Sequence, residues 1–151
     1  MFKVFFEDVN VGDKKEFGHY EVTKQEVIDF ASKYDPQPFH LDEEAAKNSV
    51  FGVLCASGWH TSAMTMAMVV KDFTQTGLAG MGSPGLDFLN WHQPVKVGDT
   101  LSVITEAVEK RESKSRPNLG FLKNKITTLN EKGETVMTMQ ANVMVLKRPV
   151  D

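Results

Sequence analysis

The residue types best suited to chemistry stand in one short segment, Asp35-Pro36-Gln37-Pro38-Phe39-His40. A carboxylate and an imidazole lie five residues apart, and two prolines restrict the backbone between them. Asp and His are the groups wanted for general acid–base work, because an imidazole gives or takes a proton near neutral pH. The same spacing also fits a plain structural role, with Asp35 ending one helix and His40 packing ahead of the next. A second candidate is Ala56-Ser57-Gly58-Trp59, at the opening of a long apolar segment. The first N–H groups of a helix have no intrahelical acceptor and sit at its positive end. Gly58 carries no side chain to hold a ligand away, so its N–H is the candidate oxyanion donor. Ser57 beside it reads either as a substrate contact or as a helix cap.

The remaining polar residues offer less. Lys110, Arg111, Lys114 and Arg116 crowd what reads as one polar turn. Lys114 and Arg116 are candidates for a phosphate contact, and a solvated loop is the plainer reading. His19, His60 and His92 lack metal-ligand spacing with one another or with the single cysteine, Cys55, so no metal site is expected. His60, on a mostly apolar helix, reads as a hydrogen-bonded core histidine. Cys55 reads as a small buried hydrophobe, and the eight methionines read as core filler.

Several elements must hold these residues in place. Val11-Gly12-Asp13 is a turn, followed by a short strand from Glu16 to Glu21. Thr23 with Glu26 three residues on forms a capping-box pattern, and Val27, Phe30, Ala31 and Tyr34 then recur at helical spacing. That helix must stop near Tyr34, since Pro36 disfavours helical geometry at Asp35. Residues 42–47 form a second, short helix with acidic residues at its start. From Ser57 to Thr74 the residues Trp59, Ala63, Met66, Ala67, Val70 and Phe73 fall on one stripe, and Met64, Met68 and Val69 leave little of the other face polar. Such a helix is buried, and at 1.5 Å per residue it runs roughly 25 Å. Strands are predicted at Leu86–His92, Thr100–Glu109, Leu119–Leu129 and Glu134–Leu146. In the last, Met137, Met139, Ala141, Val143 and Val145 alternate with polar residues. One buried helix beside an antiparallel sheet is an α+β architecture. Too few strands are present to close a barrel, so the sheet curls round the helix and leaves an open edge.

Composition excludes several classes. The chain has 151 residues, 41% hydrophobic and 25% charged, which fits a single folded domain over residues 1–151 and not wholesale disorder. A formal charge of −3 argues against a nucleic-acid partner. One cysteine rules out an internal disulfide framework. No signal peptide is recognisable, and the longest apolar run, Ala63 to Val70, is too short to span a bilayer. No membrane partner and a cytoplasmic, reducing setting are therefore expected.

Together the stretch Phe30 to Asp42 and Ala45 resembles the signature of MaoC-like dehydratases and (R)-specific enoyl-CoA hydratases. Asp35, Pro38 and His40 match that pattern, while Gln37 stands where Asn is usual. Ser57-Gly58 resembles the position where these enzymes often carry His-Gly. Trp91-His92-Gln93-Pro94-Val95-Lys96-Val97-Gly98-Asp99-Thr100-Leu101 is similar to their Trp-x-x-Pro-Val-x-x-Gly-Asp-Thr-Leu stretch. The resemblance implies a hot-dog fold, a homodimer with sites near the subunit interface, and no metal or redox cofactor. It also implies reversible hydration of a trans-2-enoyl-CoA or enoyl-ACP to the (R)-3-hydroxyacyl thioester. Asp35 and His40 would be the acid–base pair and the Gly58 N–H the oxyanion donor. A hot-dog acyl-CoA thioesterase and a non-catalytic acyl-CoA-binding protein are the rival readings.

Overall fold

The computed structural model describes residues 1–151. Strand β1 (Lys14–Glu21) is followed by helices α1 (Lys24–Tyr34), α2 (Glu43–Lys47) and α3 (Gly58–Thr76), then strands β2 (Leu86–Trp91), β3 (Thr100–Glu112), β4 (Leu119–Leu129) and β5 (Thr135–Leu146). Short 3₁₀ turns lie at Phe6–Asp8 and Pro38–His40. The sheet is antiparallel throughout, in the order β1-β3-β4-β5-β2, so β1 and β2 are its edges. It wraps the long helix α3, which is the hot-dog arrangement.

Local chemistry sets the ends of the helices. The Thr23 hydroxyl accepts the Glu26 N–H at 3.3 Å and starts α1. Asp35, ahead of Pro36, has left helical geometry at φ −154° and ψ 67°. Asp42 caps α2 by accepting the Ala45 N–H at 2.9 Å. Ser57 caps α3, and Gly77 ends it in the left-handed region at φ +79°, a position that favours glycine. Only half of the expected capping box forms at α1. The Glu26 carboxylate turns away from Thr23 and accepts hydrogen bonds from Tyr20 of β1 and His60 of α3.

The core lies between α3 and the concave face of the sheet. Met137, Met139, Ala141, Val143 and Val145 of β5 are all buried there, as the alternation predicts, with Leu101 and Val103 of β3 and Ile126 of β4. From α3 they meet Met64, Met68 and Val69. A buried hydrogen bond of 2.7 Å between the Thr65 and Thr128 hydroxyls pins the helix to β4. Edge strand β1 bends over α3 at an irregularity between Phe17 and Tyr20. Gly18 is required there: its φ is +92°, and a Cβ would lie 2.7 Å from the Met68 sulfur.

Two expectations are corrected. The sheet does not cover the stripe that begins at Trp59. Trp59, Ala63, Met66, Ala67 and Val70 face outward, with Trp59 60% exposed, and His60, Thr61, Met64, Thr65, Met68 and Val69 face the core. Helical periodicity identifies apolar faces, but α3 has two, and only the sheet's position selects one. Lys110 and Arg111 are not in a turn either, because β3 runs on to Glu112. The Lys110 ammonium donates to the carbonyls of Phe6 (2.9 Å) and Val9 (2.7 Å), which ties the N-terminal segment to the sheet.

That segment packs tightly. The Phe6 ring rests on Gly120 so closely that a Cβ would come within 2.2 Å of it. Gly120→Ala should therefore displace the ring and destabilise the fold by about 1–3 kcal/mol. A urea-unfolding midpoint lowered without change of slope is the expected readout.

Candidate active site

The first turn of α3, the C-terminal end of α1 and the 3₁₀ turn at Pro38–His40 meet at one place. His40 is buried, with 5% of its surface exposed. Its Nδ1 lies 2.8 Å from the Cys55 carbonyl oxygen. A carbonyl can only accept, so Nδ1 carries the proton and Nε2 is left free to exchange one. Nε2 points to the Asp35 carboxylate at 3.7 Å, too long for a direct hydrogen bond.

Asp35 is held from two sides. The Ser57 hydroxyl donates to its Oδ2 at 2.6 Å, and the Gln37 side-chain amide donates to its Oδ1 at 2.7 Å. The Ser57 bond above all holds the Asp35 carboxyl below the usual carboxylate range. Partial burial opposes this, and the Gln37 amide and the His40 ring beside it act in the same direction as Ser57.

Ser57 is fully buried and serves two groups at once, since its hydroxyl oxygen also accepts the Trp59 N–H at 3.3 Å. It is a cap and a carboxylate partner together. The neighbouring Gly58 N–H has no acceptor within the chain. Gly58 lies under the Trp91 ring, where a Cβ would come within 2.6 Å of the indole. A cavity of about 340 Å³ opens here, walled by His40, Phe51, Gly58, Thr61 and Trp91. Asp35 does not itself line the cavity; its carboxylate stands 3.7 Å from the Nε2 of His40, which does. Cys55 also borders the cavity, but burial pushes its thiol up to about 11, which removes it as a nucleophile.

Asp35, His40, Ser57 and Gly58 are therefore brought together. Lys114 and Arg116 are not. The turn at 113–118 follows the Glu112–Gly120 pair, whereas Trp91 pairs with Met137 and Met137 with Thr128. Gly120 and Thr128 are eight residues apart on β4, roughly 26 Å along the strand. The basic turn thus sits at the opposite end of the sheet from the site. No three His, Cys, Asp or Glu side chains are grouped to hold a metal ion. Sequence reasoning missed the Gln37 and Cys55 contacts and the wall formed by Trp91. The Gln37 contact had a signal in the short Asp35-Pro36-Gln37 spacing, and the others had none.

Residues 8–129 match the MaoC like domain family. The chain belongs to that family. It is 30% identical over 147 residues to the 3-hydroxybutyryl-CoA dehydratase of Methylorubrum extorquens, covering 96% of this chain and 86% of that one. A solved MaoC-like dehydratase from Rhodospirillum rubrum is 41% identical, with a TM-score of 0.88 and coverage of 98% and 100%. The R-hydratase PhaJ1 of Pseudomonas aeruginosa shares the fold at a TM-score of 0.75 and 24% identity, over 95% of this chain and 86% of that one. The chain is thus a MaoC-like member of a hydratase and dehydratase family. No helix is long and apolar enough to cross a membrane.

Removing the Ser57 hydroxyl tests the electrostatics directly. In Ser57→Ala, the Asp35 carboxyl should titrate closer to its ordinary 3.8, read by carboxyl-carbon NMR. The sign for stability follows. A depressed folded-state value contributes stability that is complete above 3.8 and is lost as pH falls through the lower folded value. The variant should lose that contribution and denature at a higher pH than the parent during acidification.

Proposed function

We propose that this MaoC-like protein is a hydro-lyase that adds water across the double bond of a trans-2-enoyl thioester, carried on CoA or acyl carrier protein, and gives the (R)-3-hydroxyacyl thioester. The observation that carries the reading is the arrangement of Asp35 and His40. An ionised carboxylate faces an imidazole nitrogen across 3.7 Å, beside an unpaired Gly58 N–H. In this reading one water is held by both groups, which are too far apart to bond directly. Asp35 orients it by accepting a hydrogen bond from one O–H, which stays intact, and His40 Nε2 takes the proton of the other. The water oxygen bonds to C3 as the C2–C3 π electrons move toward the thioester carbonyl. The Gly58 N–H donates to the oxygen on which negative charge builds, assisted by its place at the start of α3. His40 returns the proton to C2 and the imidazole is regenerated. By microscopic reversibility the same two groups serve the reverse dehydration, His40 taking the C2 proton and returning it to the departing hydroxyl.

General acid–base groups typically contribute about 10²–10⁴-fold each, and groups that act as a unit are not additive. Asp35→Asn and His40→Gln should each lower kcat by about that factor, and the double variant should be little worse. Loss of enoyl absorbance with crotonyl-CoA and longer trans-2-enoyl-CoAs measures the rate, and chiral analysis of the product measures the stereochemistry. Full activity in a folded Asp35→Asn variant would remove the assignment. Thiol release from saturated acyl-CoAs without change in enoyl absorbance would assign a thioesterase instead. Binding with neither reaction would assign a non-catalytic acyl-CoA-binding protein.

The active unit is proposed to be a homodimer or a dimer-based oligomer. Trp59, Met66 and Val70 on the outer face of α3 are between 46% and 60% exposed, and Leu86, Phe88 and Trp91 on the neighbouring edge strand β2 between 37% and 46%. An open strand edge flanked by an apolar helix face is a surface that a second copy can cover. Sedimentation should give twice 16.9 kDa at micromolar concentration. Met66→Lys should shift the protein toward the monomer.

A further inference from the structure

A second polar cluster lies close to the acid–base pair and takes no part in the steps above. His60 sits one turn into α3, three residues after Ser57, and only 2% of its surface is exposed. Its Nε2 donates to the Glu26 carboxylate of α1 at 3.0 Å. Tyr20 of β1 donates to the same carboxylate oxygen. The Phe30 ring, one turn further along α1, stacks flat on the imidazole at 4.6 Å and 10°. The other ring nitrogen, Nδ1, is buried without any partner. A leucine or phenylalanine at this position would leave no polar atom unsatisfied. Burial alone therefore does not account for a histidine here, whereas a directional link to Glu26 does.

The link acts on the site through the backbone. Asp35 follows Phe30 by five residues and caps the same helix, its N–H bonded to the Ala31 carbonyl at 2.9 Å. Ser57 and Gly58 begin the helix that carries His60. Helices α1 and α3 are thus joined side by side three times: Glu26 to His60, Phe30 on His60, and Asp35 to Ser57. Only the last join belongs to the chemistry. The first two fix where α1 lies on the first turn of α3. They thereby fix where the Asp35 carboxylate stands relative to Ser57, Gly58 and His40.

We infer that Glu26 and His60 are a positioning pair for this acid–base site, setting the distance between the end of α1 and the start of α3 without touching substrate. The inference rests on the hydratase reading for its kinetic consequence and on the geometry alone for its structural one. Glu26 is the better residue to change, because its side chain is 43% exposed and its loss opens no core cavity. Displacing a reacting group by about 1 Å costs up to roughly 10²-fold in rate, so a slackened α1 should cost about ten-fold. Glu26→Ala should lower kcat per folded molecule by that factor and leave KM nearly unchanged. Glu26→Gln keeps an oxygen that accepts from both Tyr20 and His60, and should restore kcat to within about three-fold. The companion measurement needs no turnover. With the Ser57 bond loosened, the Asp35 carboxyl should titrate higher in Glu26→Ala, and in Glu26→Gln it should titrate as in the parent. A folded Glu26→Ala with unchanged kcat and unchanged Asp35 titration would overturn the inference. So would a Glu26→Gln as impaired as the alanine variant, since charge and not geometry would then be at work. If the parent turns over no trans-2-enoyl thioester, the hydratase reading falls, and the Asp35 titration alone decides the positioning pair.

Discussion

The hydrogen bond from Ser57 to Asp35, 2.6 Å long, is the interaction on which the rest of the site depends. It joins the C-cap of one helix to the N-cap of another, so it is a tertiary contact made by two helix ends. It lowers the carboxyl's affinity for a proton, and it brings that carboxylate beside the N–H groups at the start of α3. The Ser57 oxygen serves Trp59 with its lone pair and Asp35 with its hydrogen. A helix cap without a donor could not do both, and a longer residue would have to displace a fully buried neighbourhood.

His40 completes the arrangement through a contact that no side chain specifies. Its proton position follows from the Cys55 carbonyl, a backbone group presented by the loop that leads into α3. Pro36 and Pro38 reduce the freedom of the segment between acid and imidazole. The cost of ordering that segment is thereby smaller when the site forms. Trp91 then closes over Gly58, and this links the cavity to the end of the edge strand β2. The same edge and the outer face of α3 carry exposed apolar side chains, so the cavity wall and the apolar surface share one strand.

The sheet explains why α3 can be both core and surface. Its concave face takes Met64, Thr65, Met68 and Val69, with one buried hydroxyl pair fixing the helix against β4. The opposite face stays apolar and uncovered. At the far end of the sheet, Lys110 draws the N-terminal segment onto β3 and Phe6 onto Gly120. There the chain packs against itself at Phe6, whereas the cavity walled by His40 and Gly58 lies at the Trp91 end.

Much of this was legible in the residues. Asp35 and His40 stood out by type, by spacing and by the prolines between them. Thr23, Asp42 and Ser57 marked helix starts because capping is local, and the alternation of Met137 to Val145 marked a half-buried strand because side chains alternate across a strand. Other features depended on elements distant in sequence. Glu26 had the position of a capping-box residue, yet His60, thirty-four residues on, took its carboxylate. Lys114 and Arg116 had the charge for a phosphate contact, yet strand register placed them roughly 26 Å along β4 from the site. The stripe from Trp59 to Phe73 had the period of a core face, yet from Trp59 to Val70 the sheet covered the other side of the helix, and only Phe73 at its end packs against the core. Caps, turns and periods act within a few residues and are written in the sequence directly. Which face is covered, and which partner a side chain reaches, is decided by packing among all the elements, and only the tertiary structure performs that sum.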